Sequence, residues 1–237
     1  MNHKLLLLGI LLIALFFRFY RNNSLQYWNN DEEVHAWTVQ RMIALGRPAL
    51  VSPQPTLGTS IGSFFHILSV PLFLIAKMDP QWIAGLFSLV GIGTTAAIYF
   101  LGIEVASREV GFISAFLDAS SFLAGLYDRR WWPITLTPLF SCIGLLFTIK
   151  MVKKRNSSLF PIIALFAGSA LHGDPAVLFL GLFAILTVLW LRIQLTLKSV
   201  AASMIILALY IAPIALFELK HPGSIISPAL MTIQRQQ

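Results

Sequence analysis

The chain has 237 residues, of which 57% are hydrophobic and only 11% are charged. Soluble domains carry about 25% charged residues, so this composition excludes an ordinary soluble protein and indicates a membrane protein. The formal net charge is +7, but the basic residues lie between apolar runs, which is the positive-inside pattern of membrane proteins and excludes a nucleic-acid-binding patch.

Eight apolar runs predict membrane-associated helices, because about 20 mostly apolar residues cross a bilayer. They cover residues 5–20, 61–76, 82–103, 111–127, 133–149, 159–171, 175–191 and 200–217. No small-residue cleavage site follows the first run, so it predicts a retained span and not a signal peptide. The single cysteine, Cys142, lies inside the fifth run, which excludes a disulfide framework and a cysteine-based zinc site.

Basic residues set the predicted orientation. The cluster Lys150, Lys153, Lys154 and Arg155 is predicted to face the cytoplasm, as is the N-terminus. These two assignments agree only if one run between residues 60 and 104 does not cross the membrane. We predict that it is residues 61–76, a short run containing Pro71, lying along the outer interface. The sequence therefore predicts an all-α membrane protein with seven transmembrane helices and juxtamembrane helices in a first outer loop, residues 21–80.

This topology predicts one transmembrane module, residues 1–217, and an outer tail, residues 218–237, which we interpret as the start of a further C-terminal region. The localisation that follows is a multi-pass protein of a bacterial inner membrane or plasma membrane. Acidic residues were not used to set the orientation, yet most of them fall on the predicted outer face: Asp31, Glu32, Glu33, Asp79, Asp128, Asp174 and Glu218. Chemistry is therefore expected on that face.

Three adjacent acids stand in the first outer loop: Asp31, Glu32 and Glu33. A structural interpretation is available, because Asn30 is a good N-cap and Glu33 follows it at capping-box spacing. Gly46 then ends an amphipathic helix on the membrane surface. Capping accounts for one or two acids and poorly for three, so a structural and a functional role both stay open.

A second cluster, Asp128, Arg129 and Arg130, lies in a predicted outer turn before Trp131 and Trp132. Arginines and tryptophans are typical of an interfacial anchor. Arginines also bind phosphate, and Asp128 could hold a metal or orient an arginine.

Three more residues are candidates. For His172 and Asp174, in the sequence His172-Gly173-Asp174-Pro175, a tight loop is favoured over a site. Asp118 is about 14 Å deep in its predicted span, which indicates either a functional acid facing the bundle interior or a protonated acid bonded to Ser114, Ser120 or Ser121. His66 is expected at the membrane interface and not in a metal site.

In order and spacing, these motifs resemble the C-type (GT-C) superfamily of integral-membrane glycosyltransferases, especially protein O-mannosyltransferases and the lipid A aminoarabinose transferase. The resemblance consists of the acids 31–33 on a helix leading to residues 44–48, a Pro/aromatic segment from 53 to 71, the turn 128–133 and the hairpin 171–175. The family's seven-span module with juxtamembrane helices is the layout predicted above. The chain departs from some relatives by having residues 53–56, Pro-Gln-Pro-Thr, in place of a Lys-Pro pair.

The resemblance implies transfer of a sugar from a polyprenyl-phosphate donor on the outer face, by single displacement with inversion, to an acceptor that is a protein, lipid or glycan. Asp31 would be the catalytic base with Glu32 beside it, although alignment on Glu-Val-His makes Glu32 and Glu33 the pair instead. Arg129 and Arg130 would face the donor phosphate. Asp128 would be a second acid or the ligand of a divalent metal, Mg or Mn, and His172, Asp174 and Asp118 would have supporting roles.

Two other functions are compatible with the sequence. A transporter or flippase of lipid-linked substrates would use Asp118 and the basic residues along a path through the bundle. A non-catalytic scaffold or truncated relative would use the three acids of the first loop only to cap a helix.

Overall fold

The computed structural model describes residues 3–26, 28–56 and 59–225. About 80% of the described residues are helical, which agrees with the predicted all-α class. The predicted tail lies largely outside the described residues, from position 226 onward.

Twelve α-helices and one β-hairpin make up the described fold, in the following order: α1 His3–Phe19, α2 Asn22–Leu25, α3 Asn30–Leu45, β1 Val51–Thr56, β2 Thr59–Gly62, α4 Phe64–Ile75, α5 Pro80–Phe87, α6 Leu89–Val105, α7 Arg108–Ser120, α8 Phe122–Tyr127, α9 Thr137–Lys154, α10 Phe160–Gly168, α11 Leu178–Trp190 and α12 Leu197–Lys220. Short 3₁₀ segments cover Pro133–Leu136, Ser157–Leu159, Ser169–His172 and Pro175–Val177.

Three helical segments of the described chain are long and apolar enough to cross a membrane: Pro80–Val105, Pro133–Lys154 and Leu197–Lys220. Three shorter apolar helical segments, of 10 to 17 residues, are Phe64–Ile75, Ser157–His172 and Pro175–Trp190. The structure therefore supports a membrane protein with three such helices, and seven spans are not established by helix length.

Local backbone features divide several of the predicted runs. The run 111–127 breaks at Ser121, which has extended backbone and accepts a hydrogen bond from the N–H of Ala124 to begin α8. Pro138 lies in the first turn of α9. Proline is tolerated there because the backbone N–H that it lacks would have no partner within the helix.

The first outer loop contains a feature that the sequence did not predict. Strands β1 and β2 pair as an antiparallel hairpin, with Val51 opposite Gly62 and a register irregularity between Val51 and Pro55. The predicted run 61–76 consequently starts inside β2, and its helix α4 begins only at Phe64. At 12 residues, α4 is about 18 Å long, shorter than the hydrocarbon core of a bilayer.

Aromatic packing joins the first outer loop to the turn after α8. Trp131 is fully buried and contacts Phe65 and Phe73 of α4, while its ring stacks with that of Trp28 at 5.9 Å between centroids. The Trp131 Nε1–H donates to Ser69 Oγ at 3.1 Å, so this large side chain is buried with its polar atom satisfied. The loop helices and the turn therefore form one packed layer.

Candidate functional site

Helix α3 begins with a capping box that sets the direction of the three acids. The side chain of Asn29 accepts from the N–H of Asp31 at 3.0 Å, and Glu32 Oε2 accepts from the N–H of Asn29 at 3.1 Å. The predicted box, Asn30 with Glu33, is thus wrong by one residue. Because successive helical residues differ by about 100° in direction, the three acids face different surroundings.

Glu32 is buried in a structural ion pair. Its Oε1 lies 2.8 Å from both Nε and Nη2 of Arg130, whose guanidinium stacks over Trp132 at 4.5 Å from the ring centroid. The Glu32 side chain has no exposed surface. With both oxygens engaged, Glu32 holds α3 against the turn after α8, and this placement favours a packing role over its predicted catalytic role.

Asp31 lines a cavity of about 480 Å³, and residues from several of the motifs found in the sequence line it as well. The walls come from α3, the β-hairpin, the turn after α8 and the loop before α11, through Asp31, His35, Ser52, Trp132, Pro133 and Asp174. Glu33 instead lies at a different cavity, beside Trp28 and Gln40. Of the three predicted catalytic acids, only Asp31 therefore shares a cavity with Asp174.

Asp174 is held rigidly at this cavity. Its Oδ1 accepts from the N–H of Ala176 at 2.9 Å, and its Oδ2 accepts from the hydroxyl of Thr137 at 2.9 Å. The first contact caps the 3₁₀ segment Pro175–Val177. These contacts fit the loop interpretation of this acid, and they fix its carboxylate beside the cavity.

His172 forms hydrogen bonds through both ring nitrogens. Its Nδ1 accepts from the N–H of Phe64 at 3.0 Å, which leaves the proton on Nε2 to donate to the carbonyl of Tyr210 at 2.6 Å. A side chain at Gly62 would overlap the imidazole, so glycine is required there. His172 therefore connects the start of α4 with α12, and its support of the cavity is indirect.

A buried pair of imidazoles, His35 and His66, lies next to Asp31. His35 Nδ1 and His66 Nε2 are 2.8 Å apart, and both side chains are buried. Burial lowers the pKa of His35 to about 4 and that of His66 to about 3, where the neighbouring His35 lowers it further. His66 is buried against α3, and its expected place at the membrane interface stays a prediction. The signal that could have found His35 is its position four residues after Asp31, on the same helical face.

Asp118, Asp128 and Arg129 belong to a separate buried network around Arg18. The fully buried Arg18 donates from Nε to Asp128 Oδ2 at 2.7 Å and from Nη2 to Asp118 Oδ2 at 3.1 Å. The hydroxyl of Thr95 also donates to Asp118, at 2.5 Å. Asp118 thus faces the bundle interior, as the first of the two alternatives predicted. Its carboxylate bonds Arg18 and Thr95, whereas the second alternative predicted a bond to a nearby serine.

Arg129 binds the C-terminal end of α1. Its Nε donates to the carbonyl of Arg18 at 2.9 Å, and its Nη2 donates to the carbonyls of Phe17 and Tyr20 at 2.5 and 2.9 Å. Terminal carbonyls of a helix lack helical partners, so this contact stabilises α1. Arg129 is only 2% exposed. Its placement disfavours the predicted contact with a donor phosphate.

The predicted metal ligand does not fit a divalent cation. Asp128 is bonded to the Arg18 guanidinium, whose positive charge opposes a cation at that carboxylate. Within residues 3–26, 28–56 and 59–225, no group of three or more His, Cys, Asp or Glu side chains is arranged to hold a metal ion.

Comparison with protein-family models, with curated proteins and with solved structures found no match for this chain.

Proposed function

We propose that this chain is a membrane glycosyltransferase that moves a sugar from a polyprenyl-phosphate donor to an acceptor hydroxyl on the outer face, with Asp31 as general base. The observation that carries the proposal is the cavity shared by Asp31, Trp132 and Asp174. Three segments far apart in sequence supply a carboxylate, an aromatic ring and a second carboxylate to one volume. Such a combination suits a sugar, which presents hydroxyl groups and an apolar face.

The reaction uses Asp31 as the proton acceptor. The acceptor oxygen attacks the anomeric carbon and forms the new C–O bond, while the bond from that carbon to the phosphate oxygen breaks. The acceptor proton passes to the carboxylate of Asp31, and the lipid phosphate leaves with the bonding electron pair. Single displacement inverts the anomeric configuration. Asp174, already fixed by Thr137, accepts hydrogen bonds from sugar hydroxyls, and Trp132 packs against the ring.

The membrane arrangement proposed is the seven-span layout, in which α1, α7–α8, α10 and α11 cross together with the three long segments and α4 lies at the outer interface. Exposed apolar side chains on the shorter helices support it, since water would oppose their exposure and lipid would not. They include Leu5, Leu12, Phe16, Ile113, Leu117, Phe179, Leu186 and Trp190.

The test is sugar transfer or release by the purified chain in lipid nanodiscs, with a panel of radiolabelled polyprenyl-phosphate sugars. The native chain is expected to consume at least one donor. Asp31→Asn is expected to lower turnover by about 10²–10⁴-fold, the usual contribution of a general base. Glu109→Gln, at an exposed acid in the first turn of α7 that does not line the cavity, serves as the control and is expected to retain native turnover.

Two outcomes contradict this proposal. If no donor of the panel is consumed, the transferase proposal fails. If Glu33→Gln abolishes turnover while Asp31→Asn does not, the base lies at the neighbouring cavity instead.

A further inference from the structure

A second cavity, of about 420 Å³, lies next to the cavity of Asp31 and shares Ser52 with it. Its walls come from the C-terminal half of α3, the turn that follows, the β-hairpin and Phe217 of α12. Two arginines, Arg41 and Arg47, line it, and no carboxylate is among the described residues that do so. We call it the arginine cavity.

The end of α3 explains why the two arginines meet. The helix ends at Gly46, which adopts a left-handed conformation with φ 62° and terminates the helical path. The chain then turns, and Arg47 lines the same cavity as Arg41 of the preceding turns. Arg41 also lies over the ring of Trp37, at 5.4 Å from its centroid.

The charge of the arginine cavity favours an anion. Within the described part of the chain, neither Arg41 nor Arg47 forms an ion pair with a carboxylate. Their two positive charges exceed the roughly half negative charge at the C-terminus of α3. The planar guanidinium of arginine matches the geometry of phosphate oxygens better than the compact ammonium group of lysine does.

The other walls favour an amphiphile. Trp37, Met42, Leu45 and Phe217 make the lining largely apolar. Phe217 lies three residues before the end of α12, a helix long enough to cross a membrane. A cavity at this end of a span lies at headgroup depth, where a lipid phosphate meets the protein while its chain stays beside the helix.

We propose that the arginine cavity binds the phosphate of a membrane lipid, with Arg41 and Arg47 as its ligands and the lipid chain beside α12. The assignment of this lipid as the sugar donor rests on the proposed function. That lipid is then the polyprenyl-phosphate donor, and its sugar points past Ser52 toward Asp31. Arg41 follows Asp31 by ten positions, which is about 15 Å along the axis of α3. An extended arginine side chain, a phosphate ester and an acceptor hydroxyl in line cover that distance.

The test measures binding, not turnover, on the full chain in nanodiscs of zwitterionic lipid. Fluorescent polyprenyl phosphate is the probe, and polyprenol and inorganic phosphate are the competitors. We expect polyprenol to bind at least about tenfold more weakly, and inorganic phosphate not to displace the probe. The double variant Arg41→Gln, Arg47→Gln is expected to lose at least about tenfold in affinity, since charge-assisted hydrogen bonds contribute about 1.5–3 kcal/mol each. Arg21→Gln, an exposed first-loop arginine outside the arginine cavity, is expected to keep native affinity.

Three results overturn the inference. An equal loss in Arg21→Gln shows diffuse attraction to a basic surface, and displacement by inorganic phosphate shows an anion site that does not select a lipid. Unchanged affinity in the double variant places the phosphate elsewhere. If the probe binds through the two arginines but no sugar donor is consumed, the lipid site stands and the transferase proposal fails. If donor is consumed and the double variant binds normally, the reverse holds.

Discussion

At the scale of single residues, the proposed base is surrounded by groups that have little freedom to move or to ionise. His35 belongs to the same helical face as Asp31, and its Nδ1 contacts His66. Because burial keeps both imidazoles neutral, one of the two nitrogens in that contact carries the hydrogen and the other accepts it. Asp31 therefore faces the cavity beside a neutral, hydrogen-bonded pair of imidazoles.

This pair predicts a pH dependence of stability. The folded pKa values, about 4 for His35 and about 3 for His66, lie below the unfolded value of 6.5. Between these values the unfolded chain binds more protons, so stability is complete above pH 6.5 and falls as the pH is lowered toward 4. The expected slope is on the order of 1 kcal/mol per pH unit for each histidine.

Thermal unfolding in detergent between pH 7 and 5 measures this slope. His66→Gln should flatten it relative to the native chain, whereas His221→Gln, at an exposed residue, should leave it unchanged. A native melting temperature that stays constant over this range would refute the assignment of a buried neutral pair.

Part of the site could be predicted from single residues and part could not. The acids of the first loop, the Arg/Trp turn and the loop of Asp174 were all found from residue type and spacing. The sequence could not divide the roles of Asp31 and Glu32, because that depends on a one-residue shift of the helix cap. Nor could it assign Arg129, whose partners are main-chain carbonyls of α1, more than a hundred residues earlier.

At the scale of elements, the fit between α1 and α6 depends on a small residue. Gly91 of α6 faces the ion pair of Arg18 and Asp128, and a Cβ there would overlap both side chains. The glycine leaves room for a buried, paired charge that joins α1 to the turn after α8. Helix propensity alone would favour alanine at this position, so packing decides it.

Gly91→Ala is accordingly expected to destabilise the chain by about 1–3 kcal/mol, the usual cost of overpacking a close-packed interior. The matched variant is Gly93→Ala in the same helix, where a Cβ would make ordinary contact with Leu139 at 3.6 Å. Denaturant unfolding of the two variants compares them directly. Equal stabilities would contradict the packing argument.

Elements differed in how far they could be predicted. Apolar runs located most of the helices, since burial in lipid or in the core demands such runs. The hairpin of β1 and β2 was missed because Pro53 and Pro55 argue against a strand, and a strand tolerates proline only at an edge or irregularity. The observed register irregularity lies in this stretch.

At the scale of the whole molecule, the orientation of the helices is the feature that chemistry depends on. The basic cluster at the C-terminal end of α9 and the loop of Asp174 stand at opposite ends of α10 and its flanking 3₁₀ segments. With the basic cluster in the cytoplasm, as the positive-inside pattern predicts, we expect Asp174 and its cavity to lie outside.

Thiol labelling tests this arrangement. In a Cys142→Ser background, a membrane-impermeant maleimide is expected to label Ala176→Cys in intact cells and to leave Lys154→Cys unlabelled. Both residues are exposed, so permeabilised cells should show labelling of each. Labelling of both in intact cells would mean that α10 does not separate two compartments.

Helix α3 contributes to the cavity of Asp31, to the arginine cavity and to the cavity of Glu33. This shared helix limits the insertions and deletions that the chain can tolerate. One residue added between Asp31 and Arg41 would turn Arg41 by about 100° relative to Asp31 and move it about 1.5 Å along the axis. Length changes in related chains should therefore accumulate after Gly46, in the hairpin, and spare the helix. Substitutions of residues that line a single cavity, such as Asp31, Glu33 or Arg41, change that cavity alone, whereas a change at Trp37 alters both the arginine cavity and the cavity of Glu33.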